Sequence, residues 1–301
     1  MRIFKRLIQI LAVLVILAGL GLAYAYHLTT RQPDGYAPDQ MTAEQREVAA
    51  VEMNHKVESL DILANEAQAW ARSLVLKQQG KPATPMDKPG PVTQSFKQDQ
   101  LNAWLGRWWT GPIKAKADAY LSQPYIRLDD GNIVLMGTVA EYGKVLSAYF
   151  EPRIDEKGML RCDLTSVRLG SLPLPGVLLS QQREKLSKQL KGQLAALRAE
   201  ATMDETGLAN NAVGKAVMAR MLLSAFDGRP VPAAVFMPRG DQRQLPIRLI
   251  GVTVEKGQIT LSAAPFELAE LAALREKIKE PYEKSEAAEP GANLSAELPR
   301  K

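Results

Sequence analysis

The sequence predicts an α+β fold: an amino-terminal transmembrane helix, a helical stalk, then a long curved antiparallel sheet packed with amphipathic helices. Three observations carry this. An apolar run occupies the amino terminus, later segments repeat apolar residues at three- and four-residue steps, and three segments alternate with period two about a glycine turn. The chain has 301 residues, 46% hydrophobic and 24% charged, enough for one large domain or two ordinary ones.

Arg2, Lys5 and Arg6 precede the run from Leu7 to Tyr26, which only Gln9 interrupts. Twenty helical residues span about 30 Å, the thickness of a bilayer core. Tyr24 and Tyr26 fall at its far end, where amphipathic rings settle at the interface. Positive charge before the span places the amino terminus in the cytoplasm and the body outside the inner membrane, extracytoplasmic or periplasmic. Ala23-Tyr24-Ala25 also matches a small-x-small cleavage site, so a signal peptide cut after Ala25 is the competing reading. Residues 1–28 are thus an anchor or a signal.

The charge balance follows from this end of the chain. The net charge is +5, with a pI near 9.2, and residues 1–30 hold Arg2, Lys5 and Arg6 with no acid before Arg31. The rest carries 35 basic against 33 acidic groups. So even a balance, outside the cytoplasm, argues against a nucleic-acid partner. The single cysteine, Cys162, excludes an intrachain disulfide framework, and two histidines, His27 and His55, exclude a multi-histidine metal site. No cofactor or metal is expected.

Residues 29–41 are a polar tether bearing proline and glycine. Thr42 with Gln45 forms a capping-box pattern opening a helix to Gln79, whose apolar stripe is Val57, Leu60, Ala64, Ala67, Trp70 and Leu74. This 42–79 helix reads as a stalk that could also carry a homo-oligomer contact, with His55 on its solvated side. Residues 80–94, with four prolines, form a linker. Ser95 and Gln98 then suggest a second capping box, and the α+β domain spans 95–284.

In the first helix of that domain, Trp104, Trp108 and Trp109 cluster within six residues. They are either core aromatics or the rim of an apolar ligand slot, since indole joins a large apolar body to one donor. Next come YIRLDDGNIVLMGTV, AYFEPRIDEKGMLRCDL and IRLIGVTVEKGQITLS, turning at Asp130-Gly131, Lys157-Gly158 and Lys256-Gly257. Such pairs supply the positive φ that tight hairpins need. Strands are expected at 144–154 and 159–169, with a bulge before Val167 and Cys162 on the apolar face. Leu172 and Leu174 follow on a proline-bearing loop.

A helix beginning near Pro175 has the stripe Leu179, Leu186, Leu190, Leu194 and Leu197. Its other face carries Arg183, Lys185, Lys188 and Lys191, a solvated surface that would also meet lipid headgroups on an anchored protein. An apolar helix from Asn211 to Phe226, with Lys215 and Arg220 its only charges, reads as sandwiched between layers. A last helix starts at Glu267 and reaches about Lys284. Residues 285–301 lack core-forming side chains and read as a disordered tail.

No phosphate loop, dinucleotide fingerprint, HExxH or G-x-S-x-G pattern occurs. A Ser–Lys pair stays open. The other catalytic route is a carboxylate pair among Asp129, Asp130, Glu141, Glu151, Asp155 and Asp163, as in glycan hydrolysis. Against it, Asp130 is a turn residue, Glu151 precedes a proline, and Asp163 alternates outward.

FKQDQLNAWL, DGNIVLMGTV and GMLRCDLTSVRLGSLPLPGVLL together resemble the YpmS-like bacterial proteins. The matching elements are Leu101-Asn102, Gly131, Gly158, and Gly170 with Leu172-Pro173-Leu174-Pro175, within residues 95–180. The resemblance implies a single-anchor extracytoplasmic protein with a curled sheet and an apolar-ligand groove. It implies no catalytic residue.

The expected function is therefore non-catalytic: binding a lipid or other apolar envelope component at the membrane. Trp104, Trp108, Trp109, Leu172 and Leu174 are the candidate ligand residues, and Arg183, Lys188 and Lys191 the membrane-facing ones. A protein-interaction module working through 42–79 and a carboxylate hydrolase are the alternatives.

Overall fold

Thr42 opens the first long helix as its sequence requires. In the computed structural model, which describes residues 26–38, 40–110, 114, 118–238 and 243–282, the Gln45 amide donates to the Thr42 hydroxyl and the Thr42 amide donates back to the Gln45 side chain. Two orphan donors are thus satisfied reciprocally. Helix α1 (Ala43–Gln78) follows. The apolar run with Arg2, Lys5 and Arg6, the Ala25 cleavage site and the tail after 284 lie outside the described residues. Among the described residues no helix is long and apolar enough to cross a membrane.

The molecule is α+β, with antiparallel sheets carrying helices. Helix α1 lies on the body instead of projecting from it as a stalk. Met53, Leu60, Leu63 and Ala64 are buried in the main core with Phe96, Ile247 and Leu249. Leaving such a stripe in water would forgo about 2 kcal/mol per large apolar side chain. His55 is on the exposed face, 3.6 Å from Glu58.

The single long sheet that the three hairpins suggest is in fact two. The first contains β1 (Val92–Lys97), β7 (Ala209–Asn210), β9 (Ala234–Pro238), β10 (Arg243–Glu255) and β11 (Gln258–Ala264), in the order β1-β11-β10-β7 with β9 also on β10. The second runs β2 (Leu121–Asp129), β3 (Asn132–Val139), β4 (Lys144–Ile154), β5 (Met159–Leu169), β6 (Leu172–Pro173), with β8 (Val231–Pro232) on β5. The third hairpin leaves the others because β1 gives it a partner: Phe96 pairs Ile259 and Val92 pairs Ala263. Ser95 accordingly caps no helix. Its hydroxyl meets that of Thr260 across the sheet at 2.8 Å, and the helix begins three residues later.

Two turns lock the sheets together. The Gly131 amide donates to the Val254 carbonyl (2.9 Å), the Gly257 amide to that of Leu128 (3.0 Å), and the Lys256 amide to Asp130 Oδ1 (3.0 Å). Both glycines are left-handed, at φ +77° and +80°, which L side chains rarely adopt. In the β4–β5 hairpin Tyr149 pairs Ser166 while Phe150 pairs Leu164, so Thr165 is the extra residue of the expected bulge.

Helix α2 (Gln98–Trp108) covers the free edge of β2. The Asn102 side chain donates to the Ile126 carbonyl and accepts from the Ile126 amide, both at 2.7 Å, and Gln98 Oε1 accepts from the Leu128 amide at 2.8 Å. Two amide side chains thus replace a neighbouring strand.

The tether of 29–41 is not free. Tyr36 is 6% exposed, its hydroxyl donates to the Gln123 carbonyl at 2.8 Å and lies 3.1 Å from that of Thr138. The Ser171 amide donates to the Leu28 carbonyl at 2.9 Å. This approach requires Gly170, since a Cβ there would stand 2.5–2.6 Å from the Thr29 and Leu28 carbonyl oxygens. The segment docks because its aromatic ring has an apolar seat on the second sheet, with Tyr125, Val134 and Met136.

Helices α3 (Gly176–Glu200), α4 (Asn211–Asp227) and α5 (Leu268–Lys279) complete the body. The last stops short of Lys284, before Pro281, which cannot continue a helix from within.

Candidate functional site

Two helices and one short strand build an apolar concavity. Asn210 caps α4, its side chain accepting from the Val213 amide, and Gly228 ends the helix at φ +70°. The small residues Ala212, Ala216 and Ala219 are buried, letting the helix lie close to its neighbours. The remaining face is open: Met218 is 60% and Leu222 46% exposed. The expected sandwiching of α4 is therefore one-sided. Helix α3 runs alongside with Leu194 buried, while Leu186, expected in the same stripe, is 45% exposed.

Between them lies a groove of about 510 Å³, lined by Leu190, Leu197, Met218, Met221 and Leu222 over Val235 and Phe236 of β9. That volume is within the usual range for small-ligand sites. Its polar elements are few. Lys215 is exposed at the groove and makes no ion pair among the described residues. Gln244 Oε1 is buried without a hydrogen-bond partner, in a place left open by Gly214, where a Cβ would be 1.9 Å away. An unsatisfied buried acceptor costs about 1–3 kcal/mol, which a ligand's donor would offset.

Of the ligand residues expected from sequence, Trp104, Trp109, Leu172 and Leu174 do not line this groove. Trp104 is 36% exposed on α2. Trp109 is half-buried, its Nε1 donating to Asp118 Oδ1 at 3.1 Å. The Trp108 side chain lies outside the described residues. Leu172 pairs Leu169 on β6, and the Leu174 amide donates to the Val167 carbonyl at 2.8 Å. These two finish a sheet edge on the opposite sheet.

On α3, Arg183 is a structural contact: its guanidinium donates to the Phe226 carbonyl near the end of α4. Lys188 is exposed and Lys191 half-buried. The groove was readable only in part. Leu190 and Leu197 stand in the predicted α3 stripe, and Met221 and Leu222 in the predicted α4, but nothing in either pattern says that the two faces stand apart.

The carboxylates are distributed over hairpins. Asp129 binds Arg127, Asp163 binds Arg153 at 2.8 Å, and Asp155 accepts from the Lys157 and Met159 amides. Glu151 stands opposite Asp163 in register, on an exposed strand position. Among the described residues no group of three or more His, Cys, Asp or Glu is placed to hold a metal ion. Cys162 is half-buried, and burial pushes its thiol from 9.0 up to about 11, with Asp163 adding to the shift. A thiol so protonated is a poor nucleophile.

Comparison of the chain with protein families, with curated proteins and with solved structures finds no match.

Proposed function

We propose that this is a membrane-anchored extracytoplasmic protein that binds, without catalysis, an amphiphilic lipid of the envelope. Its acyl chain lies in the α3–α4–β9 groove and its polar end meets Lys215 and Gln244. The observation that carries the reading is the pairing of exposed Met218 and Leu222 with an unsatisfied buried amide in one concavity. Ten methylenes removed from water contribute about 8 kcal/mol, against an association cost of several kcal/mol. The anchor expected at residues 1–28 would hold the groove beside its source of ligand.

Native mass spectrometry of the full chain, released from a mild detergent, tests this. The wild type is expected to carry a lipid mass that Met218→Glu and Leu222→Glu lose, while both variants keep the wild-type circular dichroism. A ligand-free wild type, or adducts unchanged in both variants, overturns the reading. The oligomerising role of residues 42–79 has less support, since the apolar stripe of that helix is buried within its own chain. For a paired-carboxylate hydrolase, Glu151 and Asp163 are register partners, but Asp163 is held by Arg153.

A further inference from the structure

A second concavity, of about 490 Å³, has the opposite chemistry. It opens where the docked segment 31–35 crosses the second sheet, and the turn of β10–β11 brings in Lys256. Four cationic side chains line it, Arg31, Arg127, Arg168 and Lys256, against two carboxylates, Asp34 and Asp129.

Those carboxylates do not neutralise the site. Asp129 is engaged with Arg127. Asp34 is 3.9 Å from Arg31 and almost wholly exposed, so that pair is weak. Arg168 and Lys256 have no carboxylate partner among the described residues.

The cations are also placed by other contacts. Arg127 donates to the Asp34 carbonyl and lies 5.9 Å from the centre of the Tyr149 ring. Arg168 lies 4.8 Å from the same ring. Tyr149 thus gathers two guanidinium groups near one cavity, of which Arg127 is paired with Asp129 and Arg168 has no carboxylate partner among the described residues. Arg127 Nε is buried without a hydrogen-bond partner. Planar guanidinium groups fit phosphoryl oxygens bidentately, and a lysine adds a mobile point charge.

We infer that this cavity is a binding site for a phosphoryl group. It is separate from the apolar groove, shares no lining residue with it, and does not depend on it. Its wall includes residues of the segment 31–35, which begins five positions after Tyr26, the end of the apolar run. Soluble phosphate esters and anionic phospholipid headgroups both present the required chemistry.

Calorimetry on the full chain in a neutral detergent separates the two sources. Inorganic phosphate is one titrant. Short-chain phosphatidylglycerol is the other, with phosphatidylcholine of the same chains as its control. Arg168 and Lys256 are both exposed, so the double variant Arg168→Gln/Lys256→Gln is expected to keep the wild-type melting temperature. It should weaken binding by at least about tenfold, as expected for lost charge-assisted contacts. Lys77→Gln/Lys81→Gln, exposed residues at and just past the end of α1 that line neither cavity, should leave binding unchanged.

Phosphate binding sensitive to the first double variant supports the site with a soluble ligand. Phosphatidylglycerol-selective binding with the same sensitivity supports it with a headgroup. Binding of neither titrant, or equal loss in the Lys77→Gln/Lys81→Gln variant, overturns it.

Discussion

The ring of Tyr36 meets that of Tyr125 edge-on, with centroids 5.9 Å apart and planes at 87°. This geometry sets the positive edge of one ring against the negative face of the other. It fastens the chain that enters the body to β2, the edge strand of the second sheet. Gln123 takes part through an unusual backbone: at φ +51° it is the one described non-glycine residue with positive φ, and its carbonyl accepts from the Tyr36 hydroxyl.

Tyr36→Ala should therefore destabilise the protein by about 3 kcal/mol, the usual scale for removing a buried aromatic ring. Tyr36→Phe should cost about 1 kcal/mol through the lost hydroxyl contacts. Urea unfolding of the full chain in detergent measures both. Midpoints within error of wild type would mean that residues 31–36 carry no packing energy.

Cys162 should be slow to react. With its thiol pushed from 9.0 to about 11 by burial, the thiolate fraction near pH 8 falls about a hundredfold below that of an ordinary cysteine. Alkylation by iodoacetamide under native conditions should slow by about that factor and recover in urea. Rapid native labelling would contradict the placement of this side chain.

Tyr282 gives a pH dependence of definite sign. Its hydroxyl donates to Asp227 Oδ1 at 2.6 Å, and burial, followed by that bond, pushes its pKa far above 10.0. The unfolded chain ionises near 10, so this group's contribution is complete below pH 10 and is lost as pH rises above it. Tyr282→Phe should flatten the fall of the melting temperature above pH 10. At neutral pH it should cost about 1–2 kcal/mol for the missing bond to a carboxylate. An unchanged alkaline slope would show that Tyr282 does not govern it.

The hairpins were readable because their information is local. Asp130-Gly131, Lys157-Gly158 and Lys256-Gly257 each mark a turn, and the alternation of 144–154 and 159–169 fixes both strands and the bulge at Thr165. Placement beyond nearest neighbours was not readable. Period two is the same whether Ile259 pairs within one large sheet or with Phe96 of a separate strand. A helical stripe likewise looks alike on a stalk and on a body, so Met53 and Leu63 gave no sign of where they would be buried.

The tryptophans misled for a physical reason. Helix α2 is held by Gln98 and Asn102, whose amides bond the backbone of β2, so its polar side faces inward and Trp104 outward. The basic cavity drew on Arg31, Arg127, Arg168 and Lys256, far apart in sequence, and no motif connects them.

The pairing of β1 with β11 has a consequence for the order in which the molecule is made. Ser95 and Thr260, joined across that ladder, are 165 positions apart. A chain that emerges amino end first must hold the edge of β1, and the part of α1 that packs on β9 and β10, without those partners until nearly the whole body has followed. Such long-range closure is slow, and an unpaired strand edge beside an apolar helix is a target for aggregation while it waits. A nascent chain stalled before β11 should therefore depend on a chaperone, and the finished protein should not.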